Sequence, residues 1–282
     1  MPESRHYVQL VATDVEKHFG LRRSDRHTAV DGVSLTVETG EAVGIVGESG
    51  SGKSTLARIL AGVDFPSSGT VFYNDVPIRS QVKGRNDRLN LRRHVQMVAQ
   101  DTSSSFDPLK TLRASVRTPA MRLLGLSRAQ ADAEVDRVTA ELELPPGLAD
   151  RYPQHVSGGQ RQRFALARAM AVRPSLLICD EVVSALDVSV QGSVLNILRR
   201  YCAESGAGLI FVSHGLPATS FVSDRIVVMR HGKIVENAAT SVVLNQPSHD
   251  YTKQLLSAYH GRPDGAPRRN ERAVALGLRD AS

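Results

Sequence analysis

The sequence is short of cysteine, of lysine and of long apolar runs. Its 282 residues hold two cysteines, Cys179 and Cys202. That excludes a disulfide framework and suits a reducing compartment, where such a residue is usually a small buried hydrophobe. The pair is far apart with no adjacent histidine, which makes it a poor metal-ligand set. No stretch approaches the ~18 apolar residues of a membrane span. The longest apolar strings, Leu176–Cys179 and Ile226–Met229, have strand length. The N-terminal MPESRHYVQL lacks the basic-then-apolar layout of a signal peptide, so the expectation is a cytoplasmic protein that would act at a membrane only from outside the bilayer. Only six of the 35 basic residues are lysine, so a lysine inside a motif is informative. What remains is ordinary globular composition, 41% hydrophobic and 23% charged, which excludes a wholly disordered or collagen-like chain.

Residues 8–46 read as short β-rich segments. Val33–Val37 alternates apolar and polar, and Ala42–Val46 is an apolar run of the kind found in a central buried strand. A glycine-rich loop follows, then a helix from Ser54 to about Ala61 stopped by Gly62. Residues 111–145 carry helical periodicity, ended by Pro145-Pro146-Gly147. A second series contains helix 160–172, strand 176–180, helix 188–203, strand 208–213 and strand 225–230. Strands alternating with helices imply a mainly parallel sheet covered on both faces, an α/β fold. The block at 111–145 reads as a helical insertion. Residues 261–282 read as a mobile tail.

The first chemical motif is Gly47-Glu48-Ser49-Gly50-Ser51-Gly52-Lys53-Ser54-Thr55. Glycines let the chain curl so that backbone N–H groups face a phosphate, and the following helix adds partial positive charge at its N-terminus. Lys53 can reach β/γ-phosphates and the Ser54 hydroxyl can bind Mg²⁺. A chain of this composition shows the pattern by accident about 0.005 times. The second motif is Leu176–Cys179 followed by Asp180-Glu181, an apolar strand ending in two acids. One carboxylate can hold Mg²⁺ and its neighbour can polarise an attacking water. Alone, the pair reads equally as surface acids at a strand end; beside a phosphate loop it carries chemistry. The third is Ser157-Gly158-Gly159-Gln160. It reads as a capping box opening a helix, and its two glycines also leave bare N–H groups as a second anion site.

Taken together these residues resemble the ATP-binding cassette (ABC) family of transport ATPases. Phosphate loop, Ser-Gly-Gly-Gln signature, Asp-Glu strand, Ser184-Ala185-Leu186-Asp187 and His214 occur in the family's order, over about residues 8–258. The resemblance implies a P-loop NTPase (RecA-like) core, an N-terminal antiparallel β subdomain and an inserted α-helical subdomain. It divides the chain into core and β subdomain at about 1–100 and 165–245, helical subdomain at about 101–164, an importer-type helix at about 246–258 and a tail at 259–282. Two such domains would pair head to tail, with each ATP between one chain's phosphate loop and the other's signature.

The roles it implies follow residue by residue. Residues Gly47 to Thr55 cradle phosphate and, through Ser54, Mg²⁺. Gln100 senses γ-phosphate and metal and contacts the membrane subunit. Asp180 serves Mg²⁺, Glu181 is the general base, and His214 contacts the γ-phosphate. Ser157, Gly158, Gly159 and Gln160 form the signature that reaches the partner's ATP. Asp187 communicates between the sites. Phe19 stacks on adenine, or is a core aromatic of an early strand. The chain departs from the pattern at Val156 (Leu is usual), Val182-Val183 (Pro-Thr) and Gly215 (Asp).

Three stretches narrow the family. Gln100–Pro108, Ser184–Gln191 and Asn245-Gln-Pro-Ser-His-Asp-Tyr251-Thr-Lys-Gln-Leu-Leu256 resemble peptide and nickel importers, the last departing at Asp250, where Pro is usual. No cysteine follows Cys202, so no C-terminal iron–sulfur cluster is expected. The expectation is an ATP-hydrolysing subunit of an oligopeptide/dipeptide importer, using ATP and Mg²⁺, peripheral on the cytoplasmic face. Its partners would be a second ATPase subunit (a related chain, or a second copy), two transmembrane permease subunits and, indirectly, an extracytoplasmic solute-binding protein. Alternatives are a nickel importer subunit or a soluble ABC protein in an enzyme complex such as phosphonate breakdown. The arginines at 85, 88, 92 and 93 lack aromatics to stack bases and read as a solvated face, with anionic lipid headgroups as the alternative, so no nucleic-acid partner is expected.

Overall fold

The computed structural model describes residues 7–20, 27–102, 104–184 and 186–260. The chain forms two sheets. The first is antiparallel, in the order β2-β1-β4-β5, from β1 (Gln9–Phe19), β2 (His27–Glu38), β4 (Ser68–Tyr73) and β5 (Val76–Pro77). The second holds β3 (Ala42–Val46), β6 (Val95–Val98), β7 (Leu176–Asp180), β8 (Gly208–Ser213), β9 (Arg225–Arg230) and β10 (Lys233–Ala239), in the order β10-β9-β3-β8-β7-β6. All its pairings are parallel except β9 with β10.

The apolar runs explain the second sheet. β7 and β8 are buried at every position, as strands covered on both faces must be. Successive side chains point to opposite faces. Leu177 and Cys179 of β7, with Leu209 and Phe211 of β8, enter one core cluster. Leu176, Ile178, Ile210 and Val212 enter another. The first cluster is closed by helices α4 (Leu112–Leu124), α5 (Arg128–Glu141), α6 (Gly158–Met170) and α7 (Val188–Ser205). The second is closed by α1 (Lys53–Leu60) and the antiparallel sheet. A third, smaller cluster lies where α8 (Leu216–Val222), α9 (Thr240–Asn245) and α10 (Asp250–His260) meet β9. Two further helices, α2 (Ile78–Gln81) and α3 (Arg85–His94), lead into β6.

Several boundaries differ from the sequence expectations. The short β segments before residue 39 are two long strands, tolerated because their ladder is relieved by register shifts between Ala12 and His18. The Arg-rich stretch is helix α3, with Leu91 its only buried residue. Helix α6 starts two residues before the expected 160 and runs unbroken past the expected subdomain boundary near 164. Helix α10 covers 259 and 260, where a tail was expected; residues 261–282 lie outside the described residues. No helix among the described residues is long and apolar enough to cross a membrane.

Candidate functional site

The chemistry-bearing residues collect at the carboxyl ends of the parallel strands, where open α/β sheets leave a ligand crevice. Gly47 follows β3, Glu181 follows β7, His214 follows β8, and Gln100 lies just past β6. Sheet order sets β3, β8, β7 and β6 side by side, so four loops separated by up to 167 positions converge.

In the phosphate loop, Gly47, Gly50 and Gly52 have φ of +154°, +80° and +98°. At Gly47 and Gly52 a Cβ would lie 2.1 Å from the Met229 carbonyl oxygen and 2.0 Å from that of Ala29, so glycine is required by space as well as by φ. Lys53 is 4% exposed and its ammonium donates to the carbonyls of Gly47 (2.8 Å) and Glu48 (2.6 Å). Burial pulls its pKa below the ordinary value, while Glu181, Asp180 and Glu48 oppose that pull. The ammonium is thus folded onto the carbonyls of the loop, a placement from which phosphate oxygens would compete for it. Ser49 is exposed and Ser51 buried, and the Ser51 carbonyl accepts from Gly232 N–H.

Ser54 donates its hydroxyl to Asp180 Oδ1 at 2.8 Å, joining loop to acid strand. Asp180 is 1% exposed. Burial pushes its carboxyl above the usual value and negative Glu181 adds to the rise, against the Ser54 hydrogen bond and the charges of Arg58 and Lys53. The buried Asp180 carboxylate and the Ser54 hydroxyl bonded to it are oxygen donors of the kind a hard divalent cation takes. Gln100 donates Nε2–H to Glu181 Oε2 at 2.8 Å, and His214 Nδ1 lies 3.9 Å from that oxygen. Glu181 has φ +52°, a left-handed conformation uncommon for a residue with a side chain. It is held there by its N–H to the Val212 carbonyl (2.9 Å).

The turn after Glu181 closes although Val182-Val183 replaces the usual residues. Ser184 donates its N–H and hydroxyl to the Glu181 carbonyl, at 3.2 and 2.8 Å, and both valines are buried in the core. Asp187, exposed, precedes α7 with no side-chain cap. Ser157 and Gln160 form the full capping box of α6: the Ser157 hydroxyl accepts from Gln160 N–H at 3.2 Å, and Gln160 Oε1 accepts from Ser157 N–H at 3.0 Å. Nothing lies within 4 Å of a Cβ built on Gly158. No hydrogen bond among the described residues joins this signature to the phosphate loop. Phe19 is 43% exposed at the end of β1, with the Lys17 ammonium 5.3 Å from its ring centroid, so it is not a core aromatic. Thr55 is half-buried in the first turn of α1.

Sequence reasoning missed one partner of the loop. Tyr251 Oη, from α10, accepts the Glu48 N–H at 2.8 Å. The available signal was a tyrosine at helical spacing from Leu255, whose hydroxyl needs a partner once buried.

These elements define a nucleotide-hydrolysing phosphate-loop cassette: a loop and acid pair joined on one crevice, with a capped Ser-Gly-Gly-Gln helix start elsewhere in the chain. A family model described as ABC transporter matches residues 30–184, and the chain belongs to that family. It is 40% identical over 247 residues to the oligopeptide transport ATP-binding protein OppF of Lactococcus lactis subsp. lactis (strain IL1403), covering 86% of this chain and 76% of that one. It is 38% identical over 251 residues to the oligopeptide transport ATP-binding protein AppF of Bacillus subtilis (strain 168), covering 87% and 76%. Among solved structures, a dimeric ATP-binding cassette in a post-hydrolysis state, bound to ADP and Pi, matches with a TM-score of 0.76 at 26% identity, over 82% of this chain and 98% of that one. As a member of this family the chain binds and hydrolyses ATP.

Proposed function

We propose that the chain is the ATP-hydrolysing subunit of an importer of oligopeptides or dipeptides. It acts from the cytoplasmic face of the membrane on two separate permease subunits, fed by an extracytoplasmic solute-binding protein. The relatives named for oligopeptide transport support the substrate class. The observation that carries the mechanism is the hydrogen-bonded set Ser54–Asp180 and Gln100–Glu181, with His214 beside it.

In this reading the backbone N–H groups of the loop and the start of α1 bind the phosphates, and Lys53 moves from the loop carbonyls to phosphate oxygens. Ser54, Asp180 and Gln100 would hold Mg²⁺, which when bound neutralises charge developing on the phosphates. Glu181 accepts the proton of the attacking water, and Gln100 fixes the orientation of its carboxylate. His214 aligns the γ-phosphate from the neighbouring strand end. Phe19 stacks on adenine at the outer edge. Ser157, Gly158, Gly159 and Gln160 serve the ATP of a partner subunit, a related chain or a second copy, and Asp187 helps communicate between the two sites.

The reading is tested by expressing the chain with its neighbouring membrane proteins. The expected result is a complex with hydrophobic subunits whose ATPase activity in vesicles rises with peptide-loaded binding protein. Stimulation by nickel alone, or assembly only with soluble enzymes, would overturn it.

A further inference from the structure

The end of the described chain returns to the phosphate loop. Beyond β10 the backbone is caught by Glu236, a residue only 7% exposed, whose two carboxylate oxygens accept the N–H groups of Ser248 (2.8 Å) and His249 (3.1 Å). His249 in turn accepts the Tyr251 N–H through Nδ1 at 3.1 Å. These bonds fix the first turn of α10 and aim Tyr251 inward. Its ring is 2% exposed, packs with Val46, Val228 and Leu256, and lies 4.8 Å beneath the Arg230 guanidinium. Val46 is the residue directly before the loop.

The phenol oxygen then accepts the Glu48 N–H across 203 positions of sequence. The Gly47–Glu48 peptide is held from both ends: Tyr251 takes the Glu48 N–H, and the Lys53 ammonium donates to the Gly47 carbonyl at 2.8 Å. When Lys53 turns to a phosphate, the carbonyl grip is released and the Tyr251 grip is the one that stays. A backbone N–H held by a phenol is also withheld from the phosphate, so the plane of the Gly47–Glu48 peptide is set by α10 and not by the nucleotide.

We propose that Tyr251 is a positioning residue for ATP: the segment 247–256, anchored by Glu236, holds the outer arm of the phosphate loop in its binding conformation and is in return stabilised by nucleotide. The inference rests on the reading of residues 47–55 as the phosphate loop. Binding energies coupled in this way are reciprocal, so what α10 gives to the loop the nucleotide gives back to α10.

Tyr251→Phe keeps the ring, its packing and the Arg230 contact and removes one acceptor. In the purified full chain, the expected outcome is ATP affinity about three- to tenfold weaker, the worth of one hydrogen bond, with the nucleotide-free melting temperature within about 2 °C of wild type. In the wild type, ATP should slow amide hydrogen exchange across 248–256, and Tyr251→Phe should abolish that slowing. Unchanged ATP affinity in a well-folded Tyr251→Phe would overturn the proposal. If that variant melts markedly lower, the wild-type exchange decides: protection of 248–256 by ATP supports the coupling, and its absence refutes it. The reading of the loop itself fails separately, if Lys53→Ala binds ATP as the wild type does.

Discussion

Gly50 and Gly52 allow the geometry of the phosphate loop to be tested by one methyl group at a time. Both are left-handed, with φ of +80° and +98°, so alanine is strained at either. They differ in surroundings. A Cβ on Gly50 meets nothing within 4 Å, whereas one on Gly52 would lie 2.0 Å from the Ala29 carbonyl oxygen and 3.5 Å from Gly232 Cα. For Gly50→Ala the left-handed conformation costs about 1–2 kcal/mol, offset by about 0.4–1 kcal/mol from a less free unfolded chain, leaving about 1. Gly52→Ala carries that term and an overlap with main chain that cannot swing aside, so loop and β2 must part by more than about 1 Å. Forced overpacking of this kind adds about 1–3 kcal/mol, for a total of about 2–4. The displacement also reaches α1, because Leu56 N–H bonds to the Gly52 carbonyl at 2.9 Å. Denaturant unfolding without nucleotide, followed by circular dichroism, measures both losses free of any binding effect. Equal losses for the two variants, or a harmless Gly52→Ala, would refute the steric argument.

Glu181→Gln keeps the volume of the side chain and removes the base; turnover should fall about 10²–10⁴-fold while ATP binding persists, read by steady-state ATPase and equilibrium binding in the assembled complex. Glu134, in α5, is buried between Arg137 and Arg173, the latter at 2.9 Å, and although burial opposes its charge those two arginines hold its carboxyl below the ordinary 4.5. A depressed carboxyl contributes stability that is fully present above that ordinary value and is lost as pH falls through the folded one. Glu134→Gln should therefore lower stability by about 1–3 kcal/mol near neutrality, a range kept modest because the arginine side chains are 35% and 60% exposed, and should flatten the fall in stability below about pH 4.5. An unaltered acid slope in denaturant titrations would contradict this.

How much could be read from residues alone varied with the range of the forces involved. Strands β7 and β8 were legible because double burial makes them continuously apolar. The capping box of α6 was legible because Ser157 and Gln160 sit at its spacing, though the helix it opens begins two residues before the expected 160, and the loop because its glycines and lysine form a pattern too rare for accident. Helix α3 was not, since a single buried Leu91 leaves no apolar stripe among its arginines. Strand β10, KIVENAA, owes its form to hydrogen bonds with β9 more than to any alternation of its own. The left-handed Glu181 has no local marker either; it is imposed by the Val212 carbonyl and the buried turn beyond it. The Tyr251–Glu48 bond joins residues too distant in sequence for any local signal to reveal.

The capping box at α6 has one more chemical consequence. A serine hydroxyl owns two lone pairs and one proton. The helix draws on a lone pair of Ser157, through the Gln160 N–H, and leaves the proton unspent. The same oxygen can therefore brace its own helix and donate outward to an anion at once, and docking onto a neighbour's nucleotide need not unpick the cap. An aspartate would satisfy the helix equally well, yet it has no proton to offer and would repel the phosphate. At this position the helix alone would accept either residue; in the proposed role, the anion would single out the hydroxyl.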